Sequence, residues 1–376
     1  MDALVSTALT KEYEEYLRDE SRKFGKADSI SFPRTEEDVR TVVAAMGRTQ
    51  TPVTVQGART GITAGACPNG GHILNLSLMN RMTGIRYDRQ NDAFFVSVQP
   101  GVLLSKITET VSQNSFDSSD WSEESLAALE LLKNARPLFF SPDPTETSAS
   151  IGGMAACNAS GACSFHYGPT RQHIEALRAV IFDGSVIHLK RGVQKTERNA
   201  FTITTHQGKI LHGYLPDYEM PSVKNASGYY AANDMDLIDF FIGSEGTLGI
   251  LTEIEIRLSP EPLYRYGLMA FLPSEEMAVE FVIKIRSEQS TAGLPVKLVA
   301  VEYFNDKSLD LLRNSKKNYT AFAGIPEISS EYNSAVYIEY HSDDDAALQD
   351  IIIYASELLD VCGGDGWPWI DMEWRS

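Results

Sequence analysis

Hydrophobic residues recur with two different periods along the chain, and each period predicts one kind of element. A spacing of three to four residues indicates a helix with one apolar face, whereas strict alternation indicates a strand with one buried face. The helical spacing appears directly after Thr35, where Asp38 three positions later completes a capping-box pattern. Strict alternation appears at residues 93–98 and at residues 247–258. The chain is therefore predicted to mix helices with short strands.

The same patterns divide the chain into two parts, with Pro260 and Pro262 marking the boundary. In the first part the predicted elements are helices at residues 8–24, from Thr35, at 102–113 and at 117–130, strands at 52–55, 72–76, 84–87, 93–98 and 247–258, and a hairpin at 177–189. Residues 190–235 are predicted to be rich in loops. In the second part, strands at 264–271, 297–304 and 335–341 alternate with helices at 274–288, 307–313 and 344–360. That rhythm predicts a separate α+β module.

Composition and charge exclude several classes of protein. The 376 residues are 43% hydrophobic and 22% charged, which is typical of a globular protein. A net charge of -18 disfavours binding to nucleic acid or to an anionic membrane surface. The four cysteines form no C-x-x-C pair, so neither a disulfide framework nor a zinc site is expected. With no secretory signal and no apolar run of ~20 residues, we expect a soluble cytoplasmic protein without a metal or a membrane span.

Three glycine-rich segments are the candidates for chemistry. Residues 57–65 follow a predicted strand and place glycines four residues apart. Such a loop can present several backbone N–H groups to one anion, although an ordinary tight loop shows the same pattern. Residues 141–163 are rich in small side chains, which suits close approach either by a flat ligand or by another helix. Residues 243–250 repeat the glycine-loop-to-strand pattern, which a bulged hairpin would also show.

Taken in this order, the three segments resemble the FAD-binding domain of the p-cresol methylhydroxylase and vanillyl-alcohol oxidase family. The likeness covers about residues 30–260 and is closest to glycolate oxidase flavoprotein subunits and FAD-linked D-lactate dehydrogenases. Further matching runs lie at residues 33–39, 75–80, 167–171 and 224–229. The resemblance implies an α+β fold, in which a two-subdomain FAD-binding domain at residues 1–260 precedes a partial α+β cap domain at residues 261–376.

The resemblance also implies a cofactor-binding role for residues in each segment. The first loop would cradle the FAD pyrophosphate through its backbone N–H groups, with Gly57, Ala58, Arg59, Thr60, Gly61, Ile62 and Thr63. The second segment would lie along the cofactor and its ribityl chain, with Pro142, Asp143, Ser148, Gly152, Gly153, Cys157, Asn158, Ser160 and Gly161. The third would flank the adenine, with Glu245, Gly249 and Ile250. Tyr167 and Arg171 are further candidates near the flavin, and a structural salt bridge is the alternative role of Arg171.

Two departures from the family pattern affect the functional interpretation. Relatives that bind FAD covalently through this loop carry a histidine where the chain has Arg59, so non-covalent FAD is expected. His72 and His166 are expected to be packed loop histidines. The family's reacting side chains come from a histidine-rich Gly-Asp-Gly segment, whereas residues 363–366 have no neighbouring histidine and are expected to form a loop. The chain is therefore expected to be C-terminally incomplete, and it offers no assigned catalytic residue.

The function implied by the resemblance is FAD-dependent oxidation of a small anionic 2-hydroxy acid, such as glycolate or D-lactate, to the 2-oxo acid. Electrons would then pass to a partner subunit, a quinone or a cytochrome. The alternative is an FAD-binding fragment or a non-catalytic flavoprotein subunit that lacks the C-terminal catalytic segment. A flavin reductase of cell-wall precursor synthesis shares the domain, but residues 243–250 argue against it.

Overall fold

The computed structural model describes residues 6–221, 223, 226–289 and 295–369. Its helices are α1 Glu36–Thr49, α2 Leu104–Gln113, α3 Glu123–Lys133, α4 Ile151–Cys157, α5 Ser164–Tyr167, α6 Ile238–Phe241, α7 Glu275–Gln289, α8 Asp306–Asn318 and α9 Asp345–Val361. Its strands are β1 Thr7–Ala8, β2 Ser29–Ser31, β3 Val53–Gln56, β4 His72–Asn75, β5 Met82–Asp88, β6 Ala93–Val98, β7 Leu138–Phe139, β8 Ile174–Val180, β9 Val186–Lys190, β10 Ala200–Thr204, β11 Ile210–Tyr214, β12 Ile250–Arg257, β13 Ser259–Pro260, β14 Tyr264–Leu272, β15 Val296–Phe304, β16 Ser334–Ser342 and β17 Asp365–Trp369. Short 3-10 helices lie at Lys11–Leu17, Thr170–His173 and Thr320–Phe322.

The described residues fall into two compact units. The first contains the residues up to Ser160 and those from Pro169 to Pro260, and the second contains Gly161–Gly168 and the residues from Glu261 onward. Helix α5 therefore belongs to the second unit, although the residues on both sides of it in sequence belong to the first. Both units combine helices with sheets, which confirms the predicted α+β class.

Two larger sheets organise the first unit. One has the order β1-β2-β4-β3, with β2, β4 and β3 parallel. The other is antiparallel and has the order β5-β6-β12-β8-β9. Helix α1 starts with the predicted capping box, in which the Thr35 hydroxyl accepts from the Asp38 N–H and the Asp38 carboxylate accepts from the Thr35 N–H. Its buried face, Val39, Val42 and Met46, packs in one cluster with strand residues of both sheets.

The second unit is built on one antiparallel sheet of order β15-β16-β14-β17. Alternate residues of a strand point to opposite faces of its sheet. Ile338 of β16 packs with Phe281 of α7 and Ala355 of α9, so these two helices cover one face. Tyr337, on the opposite face, packs with Cys163, which immediately precedes α5. The strands and helices predicted for residues 264–360 are all confirmed.

One prediction of local structure in the first unit is wrong. The amphipathic segment 8–24 forms the short 3-10 helix Lys11–Leu17 and ends at Arg18, whose backbone is extended. The apolar stripe still packs, because Leu17 lies in a cluster with Ile30 and Ile73. The described residues of 190–235 are rich in loops as predicted, but they also contain the β10–β11 hairpin, whose alternation of half-buried and exposed residues hides it from a search for hydrophobic runs.

The predicted loop at residues 363–366 is only half right, because Gly363 and Gly364 lie in a loop whereas Asp365 and Gly366 belong to β17, which pairs with β14. A Cβ at Gly364 would lie 2.6 Å from the Phe271 carbonyl oxygen. The glycine is thus required by close approach to the neighbouring strand. Among the described helices, none has both the length and the apolar character needed to cross a membrane.

Candidate cofactor-binding cleft

The first unit contains a cleft of about 430 Å³, a volume in the range of cofactor sites. Its walls come from the loop after β3, the residues around α4 and the turn before β12. The lining is mostly apolar, and its charged members among the described residues are Arg59, Glu146 and Glu245. An anion in this cleft would therefore be held chiefly by backbone N–H groups.

The buried side-chain amide of Gln56 closes the loop after β3, a role that no local sequence pattern indicates. The Gln56 Nε2 donates to the Ala66 carbonyl at 2.8 Å and to the Tyr16 carbonyl at 2.7 Å. The Asp19 carboxylate accepts from the Ala66 N–H at 3.3 Å. These bonds tie the two ends of the loop together from behind and leave its front free to face the cleft.

The glycines of this loop differ in what surrounds them. A Cβ at Gly57 would lie 2.2 Å from the Ser150 Oγ, so packing requires that glycine. Cβ atoms at Gly61 and Gly65 would meet nothing within 4 Å. Both positions line the cleft, so the open space beside them is where a ligand can approach the backbone.

One buried hydroxyl joins α4 to the loop. Ser150 caps α4 by accepting from the Gly153 N–H at 3.3 Å, and the same oxygen accepts from the Ala58 N–H at 3.3 Å. A Cβ at Gly152 would lie 2.5 Å from the Pro100 Cβ, so this glycine lets α4 pack closely on Pro100. The two contacts fix the second wall of the cleft against the first.

The third wall attaches to the other end of α4. The N–H groups of Gly243 and Glu245 donate to the carbonyls of Ala155 and Ala156 at 2.9 and 2.8 Å. These are carbonyls of the last helical turn, where helical carbonyls lose their i+4 partners, and that of Ala155 also accepts from the Asn158 N–H at 3.2 Å. Glu245 and Gly246 both have positive φ, 52° and 76°, so the chain turns sharply there and enters β12 along the cleft.

The cleft brings together most of the predicted cofactor residues. Those that line it are Gly57, Ala58, Arg59, Thr60, Gly61, Ile62, Thr63, Gly152, Gly153, Cys157, Ser160, Glu245, Gly249 and Ile250. The predicted residues outside the lining are Pro142, Asp143, Ser148, Asn158 and Gly161. Asn158 accepts from the Arg171 N–H at 2.9 Å, and Gly161 lies in the second unit, where its N–H donates to the Ser164 hydroxyl.

Other lining residues were not assigned individually from the sequence, although most of them lie within the three glycine-rich segments. They are Val55, Gly65, Ala66, Leu76, Pro100, Pro144, Thr145, Glu146, Ala149, Ser150, Met154, Ala156, Ala159, Ser244, Gly246 and Leu251. Ser150 could have been found, since a serine before a run of small residues is a good N-cap. Val55, Leu76 and Pro100 carry no local signal, because they are ordinary residues brought to the cleft by sheet pairing and by a turn.

The remaining candidates have structural partners. Arg171 pairs with Asp239 at 3.4 Å and donates to the Ile242 carbonyl at 2.6 Å, which supports the salt-bridge alternative. His72 is fully buried in β4, where its ring nitrogens lie 2.8 Å from the hydroxyls of Ser29 and Ser31. Burial lowers the pKa of His72 to about 4, so it is a neutral packed histidine, but in a strand and not in the predicted loop.

Other predicted candidates lie elsewhere. His166 is exposed on helix α5, so the prediction of a packed loop histidine is wrong for this residue. Lys224 and Asn225, from the matching run at 224–229, lie outside the described residues. In the part of the chain that is described, no three His, Cys, Asp or Glu side chains are grouped to hold a metal ion.

The residues present fit a dinucleotide whose pyrophosphate is held without cationic side chains. The Arg59 side chain is turned to the N-terminal 3-10 helix, where its guanidinium lies 4.2 Å from the Tyr16 ring centroid and donates to the Glu15 carbonyl at 2.8 Å. The backbone of the loop, with the open faces of Gly61 and Gly65, remains for the anion.

A sequence comparison covers the first two of the three segments that line the cleft. Residues 27–123 and 124–190 match a family described as an FAD binding domain. A D-lactate dehydrogenase of Anaerostipes hadrus is 30% identical over 252 residues, which are 66% of this chain and 40% of that protein. The glycolate oxidase subunit GlcD of Bacillus subtilis is 26% identical over 260 residues, 69% of this chain and 42% of that protein. The chain thus spans less than half the length of these two relatives.

The fold comparison agrees. An alkyldihydroxyacetonephosphate synthase superposes with a TM-score of 0.59 at 16% identity, over 94% of this chain and 54% of that one. At that identity the likeness concerns the fold alone. The matched family, the fold and the cleft together assign residues 27–190 to an FAD-binding domain, with FAD as the cofactor.

Proposed function

We propose that the chain is an FAD-dependent oxidoreductase that oxidises a small 2-hydroxy acid, of the glycolate or D-lactate kind, to the 2-oxo acid. The observation that carries the proposal is the mostly apolar cleft, which the glycine-rich loop at residues 57–63 lines together with residues around α4. The names of the two relatives, a D-lactate dehydrogenase and a glycolate oxidase subunit, support this substrate class.

In this proposal the loop at residues 57–63 holds the pyrophosphate, and the α4 region lies along the ribityl chain. Cys157 and Ser160 form part of that wall, Glu245 and Gly249 flank the adenine, and the predicted roles of Pro142, Asp143, Ser148, Asn158 and Gly161 remain predictions. When bound, FAD supplies the acceptor for two electrons and a hydrogen from the α-carbon. The protein must orient the hydroxy acid, exclude water and take up the hydroxyl proton.

The proposal is tested by anaerobic mixing of the FAD-loaded chain with millimolar D-lactate, L-lactate or glycolate. Loss of the flavin absorbance at about 450 nm reports reduction. We expect at least one hydroxy acid to bleach the flavin. Propionate, a carboxylate of similar size without the hydroxyl, should leave it oxidised.

Bound FAD that none of the hydroxy acids bleaches would contradict the proposal. It would favour the alternative, an FAD-binding fragment or a non-catalytic flavoprotein subunit. The proposal further includes a cytoplasmic location and a partner subunit, quinone or cytochrome as electron acceptor. All four cysteines lie in the described part of the chain and none forms a disulfide there, which suits a reducing compartment.

A further inference from the structure

One arginine of the first unit holds the turn that forms the third wall of the cleft. We call this turn, residues 243–246, the wall turn, and three of its four residues line the cleft. Helix α6 ends directly before it, and there the Arg171 guanidinium donates to the backbone carbonyls of Asp239 and Ile242, the latter at 2.6 Å. Carbonyls at the end of a helix lack partners inside the helix, and an arginine can supply the missing donors.

The ion pair with Asp239 does not by itself account for Arg171. Both carboxylate oxygens of Asp239 accept from the Arg191 guanidinium at 3.0 Å, whereas the Arg171 Nη1 lies 3.4 Å from the Asp239 Oδ1. The Arg171 side chain is 15% exposed, and its guanidinium lies 4.6 Å from the Tyr230 ring centroid. Taking a cation out of water is costly unless hydrogen bonds compensate. Here the short compensating bonds go to the carbonyls that precede the wall turn.

The backbone of Arg171 is fixed to the helix that also carries the wall turn. The Asn158 side chain, at the C-terminal cap of α4, accepts from the Arg171 N–H at 2.9 Å. The same end of α4 accepts the two hydrogen bonds from the wall turn, at the carbonyls of Ala155 and Ala156. The end of α4, the wall turn and Arg171 therefore form a closed triangle of hydrogen bonds. Without Arg171, the wall turn would be attached to one of these two partners and not to both.

The wall turn fits closely at its first residue and reaches β3 at its last. Gly243 has a φ of 84°, and a Cβ there would lie 3.3 Å from the Arg171 Nη2 and 3.4 Å from the Asn158 Cβ. A Cβ at Gly246 would lie 3.6 Å from the Val55 Cβ of β3. A displacement of the wall turn would therefore change the shape of the cleft beside β3.

We propose that Arg171 is a positioning residue for the adenine end of FAD and thereby determines the preference for FAD over FMN, which lacks the adenine. The inference rests on the proposed function, in which Glu245 and Gly249 flank the adenine. Arg171 is outside the lining of the cleft and acts through the wall turn. The carboxylate of Glu245 repels a phosphate, so the neutral adenine and its ribose are the part of FAD that suits this wall. The flavin and the pyrophosphate keep their contacts with the loop at residues 57–63 and with α4.

A pair of binding titrations tests the proposal without substrate or turnover. FAD and FMN are titrated separately into the full chain freed of flavin, and the change in flavin fluorescence gives the two dissociation constants. Arg171→Met should weaken FAD binding by about tenfold or more and change FMN binding by less than about twofold. The absorption spectrum of the bound FAD should match that in the wild type, because the flavin end of the cleft is undisturbed.

Arg178→Met is the matched control. Arg178 of the same unit is 27% exposed and pairs with Glu36 of α1, so its replacement removes a partly buried ion pair that does not involve the wall turn. This variant should lower the free energy of unfolding, yet both dissociation constants should equal those of the wild type. A general loss of stability is thereby separated from a specific effect on the adenine end.

A second variant covers the case in which Arg171→Met does not fold. Arg171→Lys keeps a positive charge beside Asp239, but lysine has one nitrogen in place of the guanidinium fork and cannot serve both carbonyls and the carboxylate in the same way. It should also bind FAD more weakly and leave FMN binding as it is in the wild type.

The outcomes that contradict the two proposals are different. A folded Arg171→Met chain with wild-type affinity for FAD, or with FAD and FMN weakened by the same factor, would overturn the positioning role. A wild type that binds FMN as tightly as FAD would overturn it too, because the adenine would then contribute nothing. If the wild type binds FAD and no hydroxy acid bleaches it, the proposed oxidation fails, while the titrations still decide the role of Arg171.

Discussion

At Gly57 and Gly152 the volume that a side chain would occupy is already filled, by the Ser150 hydroxyl and by Pro100. At Gly61 the same volume is empty and lies in the wall of the cleft. Glycines that look alike in the sequence therefore serve different purposes. Some allow close packing of the protein on itself, and others leave room for a ligand.

Gly61→Val should weaken FAD binding by more than about tenfold, or ~1.4 kcal/mol, because the new side chain enters the space beside the loop backbone. The fold should persist, since no protein atom lies within 4 Å of the added Cβ. Titration with FAD, followed by quenching of flavin fluorescence, measures the effect. Gly324→Val, at an equally open glycine of the second unit, is the control. Unchanged affinity in a folded Gly61→Val chain would show that FAD does not approach Gly61.

Gly152→Ala should lower the free energy of unfolding by about 1–3 kcal/mol, because its Cβ would overlap Pro100. Gly47→Ala should act in the opposite direction. Gly47 is exposed inside α1 with nothing within 4 Å, so alanine should stabilise the helix by about 0.5–1 kcal/mol. Urea unfolding of the wild type, Gly152→Ala and Gly47→Ala measures the two changes in the free energy of unfolding. Equal stability of Gly152→Ala and the wild type would mean that α4 and Pro100 can separate at no cost.

The glycine-rich segments could be recognised from the sequence, but the purpose of each glycine could not. The spacing of Gly57, Gly61 and Gly65 is regular, whereas the contact that distinguishes Gly57 comes from Ser150, far away in the sequence. The role of Gln56 could not be predicted for the same reason, because its amide donates to the carbonyls of Tyr16 and Ala66, which are not its neighbours in the sequence.

Between elements, one carboxylate joins α1 to the five-stranded sheet. Glu36, the first residue of α1, accepts two hydrogen bonds from the Arg178 guanidinium of β8 at 3.1 and 2.7 Å. It also accepts one from the Thr252 hydroxyl of β12 at 2.7 Å. Its neighbour Glu37 is 71% exposed and pairs with Arg40 on the same helix. The two adjacent residues thus provide a half-buried ion pair between elements and an exposed ion pair within one helix for comparison.

Glu36→Gln should cost about 1–3 kcal/mol at neutral pH, the usual worth of charged hydrogen bonds, while Glu37→Gln should cost less than about 0.5 kcal/mol. Burial alone would raise the pKa of Glu36, but the hydrogen bonds from Arg178 and Thr252 outweigh it and lower that pKa below its ordinary 4.5. The contribution of Glu36 to stability is therefore complete above 4.5 and is lost as the pH falls through the lowered value. Chemical unfolding from pH 7 down to pH 3 should show the wild type and Glu36→Gln converging. A difference that stays constant over this range would contradict the assignment.

Elements whose signals are local could be predicted, and elements that depend on a distant partner could not. The capping box of Thr35 and Asp38 predicts the start of helix α1. Hydrophobic periodicity predicts that strands and helices alternate from β14 to α9. Strand β17 is short and contains glycine and proline, so its conformation depends on pairing with the edge of β14. The segment before β2 has a helical apolar stripe, yet its packing on Ile30 and Ile73 is satisfied by a short 3-10 helix.

For the molecule as a whole, we predict that FAD is released intact when the protein is denatured. No histidine is among the described residues that line the cleft, and Cys157 is the cysteine there. Burial raises the pKa of the Cys157 thiol, as does the nearby Glu245, so the reactive thiolate is disfavoured. Acid precipitation should leave a yellow supernatant and a colourless pellet. A yellow pellet that turns colourless in Cys157→Ser would instead identify a covalent link.

Because Gly161–Gly168 belongs to the second unit, the gene cannot be divided cleanly between the two units. A stop codon after Pro260 removes Ala300 and Tyr337 but leaves behind Cys163, which packs against them. A gene fragment that starts at Glu261 keeps His341 but loses Tyr167, the hydroxyl it bonds. Either fragment encodes a protein with an unmatched surface. Fission or recombination at this point would be selected against, and the two units are expected to be inherited as one gene.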